Sequence, residues 1–269
     1  MTQLAAAWRV LPTGLGTRRA LLLIERNVYV YRTGWIVILS GFFEPLFYLL
    51  SIGLGIGGIV GDMTGPDGSP IPYALFVAPA LLASASMNGA IAESTFNVFF
   101  KLNYQKTYDA VLATPLGTGD VALGEIGWAV IRATLYALGF VVVIVALGLV
   151  RSPWVLLAVP AATLLAFAFA AVGMAATTFM RSWQDFDLIQ LVVLPLFLFS
   201  GTFYPISAYP DGLRLLIQLT PLWQGVDMIR ALVTGVVDAG ILWHVAYLSA
   251  MGLFGLTIVA RRLDRLLLK

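Results

Sequence analysis

The chain has 269 residues, 60% hydrophobic and only 11% charged, with a formal net charge of +2 and no cysteine. Soluble domains carry about 25% charged residues, and a single globular core cannot hide this much apolar surface, so composition excludes a soluble protein. The near-neutral charge leaves no nucleic-acid footprint, and the absence of cysteine excludes disulfides, thiolate metal sites and cysteine nucleophiles.

The first segment, residues 1–17, contains Arg9, Pro12, Gly14 and Gly16 but no uninterrupted apolar run with a cleavage site behind it, so no secretory signal is expected. From Thr17 to Arg32, polar pairs fall at Arg18/Arg19, Glu25/Arg26 and Arg32/Thr33, seven residues apart. That spacing is two helical turns, so the pairs form one stripe and Leu21–Ile24 and Val28–Tyr31 fill the other faces. The pattern predicts an amphipathic helix along the cytoplasmic interface, with Arg18, Arg19, Arg26 and Arg32 toward anionic headgroups. The alternative is a helix packed on other protein.

Six apolar stretches follow, near 35–59, 71–92, 126–150, 153–180, 188–206 and 241–260. A hydrocarbon core ~30 Å thick needs ~20 apolar residues in a helix, so each is long enough to cross. With both termini cytoplasmic, inner segments hold twelve Lys and Arg and outer segments three, a firm positive-inside bias. Residues 222–237 are also apolar, but they carry Asp227 and Arg230, and one more crossing would put Arg261, Arg262, Arg265 and Lys269 outside. Residues 207–240 are therefore expected as two short outer helices that dip into the membrane. The predicted fold is an all-α polytopic membrane protein, a single domain over 1–269. Its parts are a tail and interfacial helix (1–34), six spans (35–260) and a basic tail (261–269).

Some positions ask for more than an anchor. The first span ends in Ser51-Ile-Gly-Leu-Gly-Ile-Gly-Gly, small residues that allow close helix approach. Glu44 lies in the same span. A carboxylate at that depth must face protein or water, either as a functional polar site or as glue between helices. Arg132 lies two turns inside the third span and is expected to snorkel to the interface. His244, the only histidine, is expected to be a hydrogen-bonding residue near the outer end of the last span. Neither a His/Cys metal cluster nor a nucleophile–histidine pair is present. Asp185 and Asp187 fit helix capping in a short loop. No G-x-x-x-x-G-K-[ST] occurs, because the lysines are only Lys101, Lys106 and Lys269. Active transport by this chain would need energy from another.

The inner segment 93–125 is where another chain could attach. Thr107–Ala113 has helix character and Thr114-Pro115 stops it. A short helix with Tyr108, Val111 and Leu112 exposed would make a partner knob; a helix lying against its own subunit fits equally well.

The run Thr107-Tyr-Asp-Ala-Val-Leu-Ala-Thr-Pro-Leu, followed by Asp120-Val-x-x-Gly-Glu125 and Trp128, resembles the first cytoplasmic loop of type-2 ABC exporter permeases. Phe197-Leu-Phe-Ser-Gly-Thr-Phe-Tyr-Pro-Ile-Ser, then Leu219-Thr-Pro-Leu-Trp, Gly225 and Ile229-Arg-Ala-Leu, resembles the fifth span and outer re-entrant helices of that family. The resemblance covers essentially the whole chain, and its nodulation-type lipooligosaccharide and daunorubicin-type drug exporter branches are the most similar.

The resemblance implies a permease that is not itself an enzyme, in the plasma membrane of a prokaryote. Its partners would be two ATP-binding subunits, which hold the ATP and Mg, and a second permease chain. This chain would bind no cofactor or metal. Residues 106–116, with Lys106, Thr107, Tyr108, Asp109, Val111, Leu112, Thr114, Pro115 and Leu116, would be the coupling helix against the ATPase. The substrate would be an amphiphile such as a lipo-oligosaccharide, a glycolipid or a hydrophobic drug. Candidate pathway residues are Phe42, Phe43, Glu44, Tyr48, Phe199, Phe203 and Tyr204, with lipid-facing or core packing as the alternative for each aromatic. Two other classes stay open: a non-transporting membrane scaffold, and an ion-driven carrier with Glu44 as proton site. The carrier would need intramembrane charge in both halves, and 151–260 offers no counterpart to Glu44 inside a span.

Overall fold

The computed structural model describes residues 17–34 and 43–267. Helix α1 (Thr17–Thr33) is the predicted amphipathic segment. Helix α2 (Phe43–Val60) is followed by a small hairpin, β1 (Asp62–Thr64) and β2 (Pro70–Pro72), paired antiparallel with Met63 opposite Ile71. Then come α3 (Tyr73–Asn103), α4 (Thr107–Leu112), α5 (Thr118–Ala146) and α6 (Pro153–Thr177). The chain closes with α7 (Phe186–Leu198), α8 (Asp211–Gln218), α9 (Pro221–Thr234) and α10 (Gly240–Leu267).

The protein is an all-α polytopic membrane protein, and α2, α3, α5, α6 and α10 are each long and apolar enough to cross a membrane. The fifth expected span, 188–206, takes another form. Its helix α7 has 13 residues and ends at Leu198, about 20 Å at 1.5 Å per residue. Just beyond, the hydroxyls of Ser200 and Thr202 donate to the Phe197 carbonyl at 3.3 and 3.2 Å. Short polar side chains that bond the backbone compete with helix, and here they turn the chain. Residues 207–240 do contain two short helices, α8 and α9. The last helix runs to Leu267 and so absorbs most of the stretch expected as a tail.

The bundle is organised around α3, which packs on α5, α6 and α9, while α10 lies along α6 and α1 along α5. Between apolar helices in lipid, association comes from close packing, which favours small residues. Accordingly α3 buries Ala74, Ala78, Ala80, Ala83 and Ala90. At two crossings only glycine fits. A Cβ on Gly124 would lie 2.7 Å from Leu23 Cβ of α1, and one on Gly255 of α10 would lie 2.7 Å from the Ala171 backbone of α6. Helix starts are built locally. Ser152 and Thr220 accept from the amides of Trp154 and Trp223 at 3.2 and 3.4 Å, each followed by a proline at the first helical position.

Candidate functional site

Two features mark the end of the bundle opposite the β hairpin: the short helix α4 on its mount, and a cavity. Lys106 has φ 49°, the only left-handed non-glycine residue among those described, and this kink swings the chain from α3 into α4. After α4, Thr114 donates to the Val111 carbonyl at 2.6 Å, and the Asp120 carboxylate accepts from the Gly117 amide at 2.9 Å to start α5. Lys106, Asp109, Thr114 and Pro115 are exposed; Thr107, Val111, Leu112 and Leu116 are half-buried.

Tyr108 corrects the sequence expectation of an exposed apolar knob. It is 1% exposed, because α4 turns that face into its own subunit. Burial first, then the negative charge of nearby Glu125, pushes its phenol well above the usual range. Glu125 in turn is held by Lys101 at 2.7 Å and by the Asn27 amide at 3.3 Å, while Lys101 donates to Asn27 at 3.2 Å. The mount therefore joins α1, α3, α4 and α5. Arg19 of α1 also donates to the Pro115 carbonyl at 3.0 Å. Of the arginines expected to face headgroups, Arg19 is thus engaged by the protein. Arg26 is half-buried, with one guanidinium nitrogen inside, and Arg32 is exposed; nothing is described for the Arg18 side chain.

One turn along α1 from Asn27, Tyr31 belongs to a second polar cluster. It donates to Glu93 at 3.3 Å and accepts from Asn97 at 2.9 Å and from Arg132 at 3.2 Å. Arg132 pairs with Glu93 and donates to Tyr136 at 2.7 Å, with its guanidinium 4.8 Å from the Tyr31 ring centre. Arg132 therefore does not snorkel to an interface. A buried carboxylate gives a closer counter-charge than headgroups would. Glu93 begins a π-helical turn, Glu93–Asn97, that carries its side chain into the bundle. Burial, with the charge of Glu93 adding, raises the Tyr31 phenol to about 12.

This cluster floors a cavity of about 760 Å³ whose walls come from α2, α3 and α7. Its upper lining is apolar or neutral, with Leu81, Ser84, Asn88, Ile189, Gln190, Val193 and Phe197. Of the candidate pathway residues, Glu44 and Tyr48 line it. Phe43 stacks on Phe47, Phe203 lies edge-on to Phe197, and Phe199 and Tyr204 pack near Tyr209, all outside the lining. Phe42 lies outside the described residues. Among the described residues, Glu44 has no hydrogen-bond or ion-pair partner.

At the hairpin end, Arg230 of α9 is buried and donates to the carbonyls of Gly201 at 2.7 Å and Phe76 at 3.3 Å, with its guanidinium 4.1 Å from the Phe76 ring centre. His244 bonds Gln224 and lies 3.3 Å from Asp227, matching the hydrogen-bonding role expected for it. Sequence reasoning missed Asn27, Glu93 and Asn97. The available signal was the rule that intramembrane charges pair, which should have sent Arg132 looking for Glu93.

Residues 18–234 match the family described as ABC-2 type transporter. Nodulation protein J of Rhizobium leguminosarum bv. trifolii is 32% identical over 226 residues, covering 83% of this chain and 84% of that protein. Nodulation protein J of Sinorhizobium fredii is 30% identical over 246 residues, 91% and 92% of the two chains. The inner membrane transport permease YadH of Escherichia coli is 27% identical over 190 residues, 69% and 67% of the two chains. With its polytopic helical bundle and a family match spanning most of its length, this chain belongs to the ABC-2 type transporter family.

Proposed function

We propose that the chain is the permease subunit of an ATP-driven exporter in the plasma membrane of a prokaryote, with both termini cytoplasmic. It moves an amphiphile outward: a lipid-linked or lipo-oligosaccharide, a glycolipid or a hydrophobic drug. Two copies of a separate ATP-binding subunit bind and hydrolyse ATP with Mg, and a second permease, identical or related, completes the unit. The observation that carries this reading is the mounting of α4. Its exposed side offers Lys106, Asp109, Thr114 and Pro115 to a partner, while Tyr108 is buried in its own subunit and Arg19 of α1 holds the Pro115 carbonyl just beyond. A push on α4 is thereby delivered to Glu125 and, one turn along α1, to the cluster that floors the cavity.

The test is affinity purification of the tagged chain in mild detergent with mass spectrometry, alongside Asp109→Lys. A Walker-A ATPase recovered with the wild-type chain, and ATP hydrolysis uncoupled from transport in the variant, is the expected result. Absence of any ATPase even after gentle crosslinking would favour a scaffold. Transport that persists with an ATPase-dead partner but follows an ion gradient would favour a secondary carrier.

A further inference from the structure

The cavity carries a charge that no described residue balances. Its lining holds three charged groups: Arg132 and Glu93 neutralise each other, and Glu44 has no partner among the described residues. The enclosing surface thus has one net negative charge. Glu44 is exposed on the open side of the cavity, beside apolar walls, where its charge distinguishes cations from anions. Tyr48, one turn along α2 from Glu44, lies with its ring 6.3 Å from that of Phe197, and both line the cavity. A carboxylate flanked by aromatic rings is the chemistry that holds an organic ammonium. A small inorganic cation would ask for several oxygen ligands, whereas Glu44 is a single carboxylate. The aliphatic wall of Leu81, Val193 and Leu194 suits a hydrocarbon body.

We propose that this cavity binds amphiphiles whose head bears a positively charged amine, with Glu44 as counter-ion and the rings of Tyr48 and Phe197 against the ammonium. It rests on the exporter reading only in taking the bound molecule as cargo. Amphiphiles with a phosphate or sulfonate head are rejected by the same carboxylate.

The test uses the full chain in nanodiscs of zwitterionic lipid and two dansyl-alkyl probes of equal chain length, one ending in trimethylammonium and the other in sulfonate. Fluorescence titration should show the ammonium probe binding about tenfold more tightly. Glu44→Gln should abolish that preference by weakening the ammonium probe and tightening the sulfonate probe toward one common affinity, and retained binding of both probes reports an intact fold. Glu44→Lys should invert it. Equal affinity of the wild-type chain for both probes, or a preference that survives Glu44→Gln, would overturn the proposal. Binding needs no ATPase, so this outcome is separable from that of the co-purification.

Discussion

Helices α3 and α7 are both apolar, yet they stand in opposite relations to the fold. Nearly every residue of α3 from Tyr73 to Ala90 is buried, whereas α7 buries none. The difference lies in side-chain size rather than hydropathy. Alanine, serine and glycine let α3 sit at the centre of the bundle, while Leu188, Leu191, Val192 and Leu194 of α7 stay exposed. In lipid, large aliphatic side chains gain little by turning inward, so small residues mark the buried helix. The cavity lies where the two regimes meet, with a fixed wall from α3 and loosely held walls from α2 and α7.

Breaking the α3 side should cost most. Glu93→Ala leaves the half-buried Arg132 without its counter-charge, a loss of about 3 kcal/mol, to be read as a lowered melting temperature in nanodiscs. The α7 substitution Val192→Ala should cost less than about 0.5 kcal/mol, and equal shifts for the two would erase the contrast. Next in size, Gly124→Val forces α1 off α5 and should cost about 1–3 kcal/mol. Gly58→Ala at the end of α2, where nothing lies within 4 Å of the added carbon, should be neutral or slightly stabilising. Smaller again, Thr118→Val removes the hydroxyl that donates to Asp264 and should cost about 1 kcal/mol; an unchanged melt would show the contact to be idle.

The smallest effect concerns Tyr31. Its phenol is raised from 10 to about 12 by burial and then by Glu93. The folded state therefore holds that proton more tightly than the unfolded chain. Its contribution is complete below pH 10 and lost as pH rises through about 12. Tyr31→Phe should flatten the alkaline decline in stability, measured by melting across that window.

Much of this fold is legible in the sequence because lipid imposes a simple length rule. The amphipathic stripe of 17–33, the helix at 107–112 halted before Thr114-Pro115, and the paired outer helices all follow from local pattern. Facing does not follow. Tyr108 reads as exposed because a short helix outside a span has no hydropathy signal for its buried side. Arg132 reads as snorkelling because the π-helical turn that aims Glu93 leaves no mark in composition. The early end of α7 depends on Ser200 and Thr202 bonding back to Phe197, a three-dimensional fact. For the cavity, sequence points to Glu44 by depth and to Tyr48 through the family resemblance, but not to Phe197 or Asn88, whose roles depend on which faces meet.

The bond between Thr118 and Asp264 also fixes an order in time. Thr118 opens α5 just after the α4 segment, whereas its partner lies almost at the end of the chain. A ribosome delivers α4 and the start of α5 well over a hundred residues before the carboxylate that bonds Thr118. The start of α5 therefore gains this bond only when the last helix has been made and inserted, and a chain truncated before Asp264 lacks it.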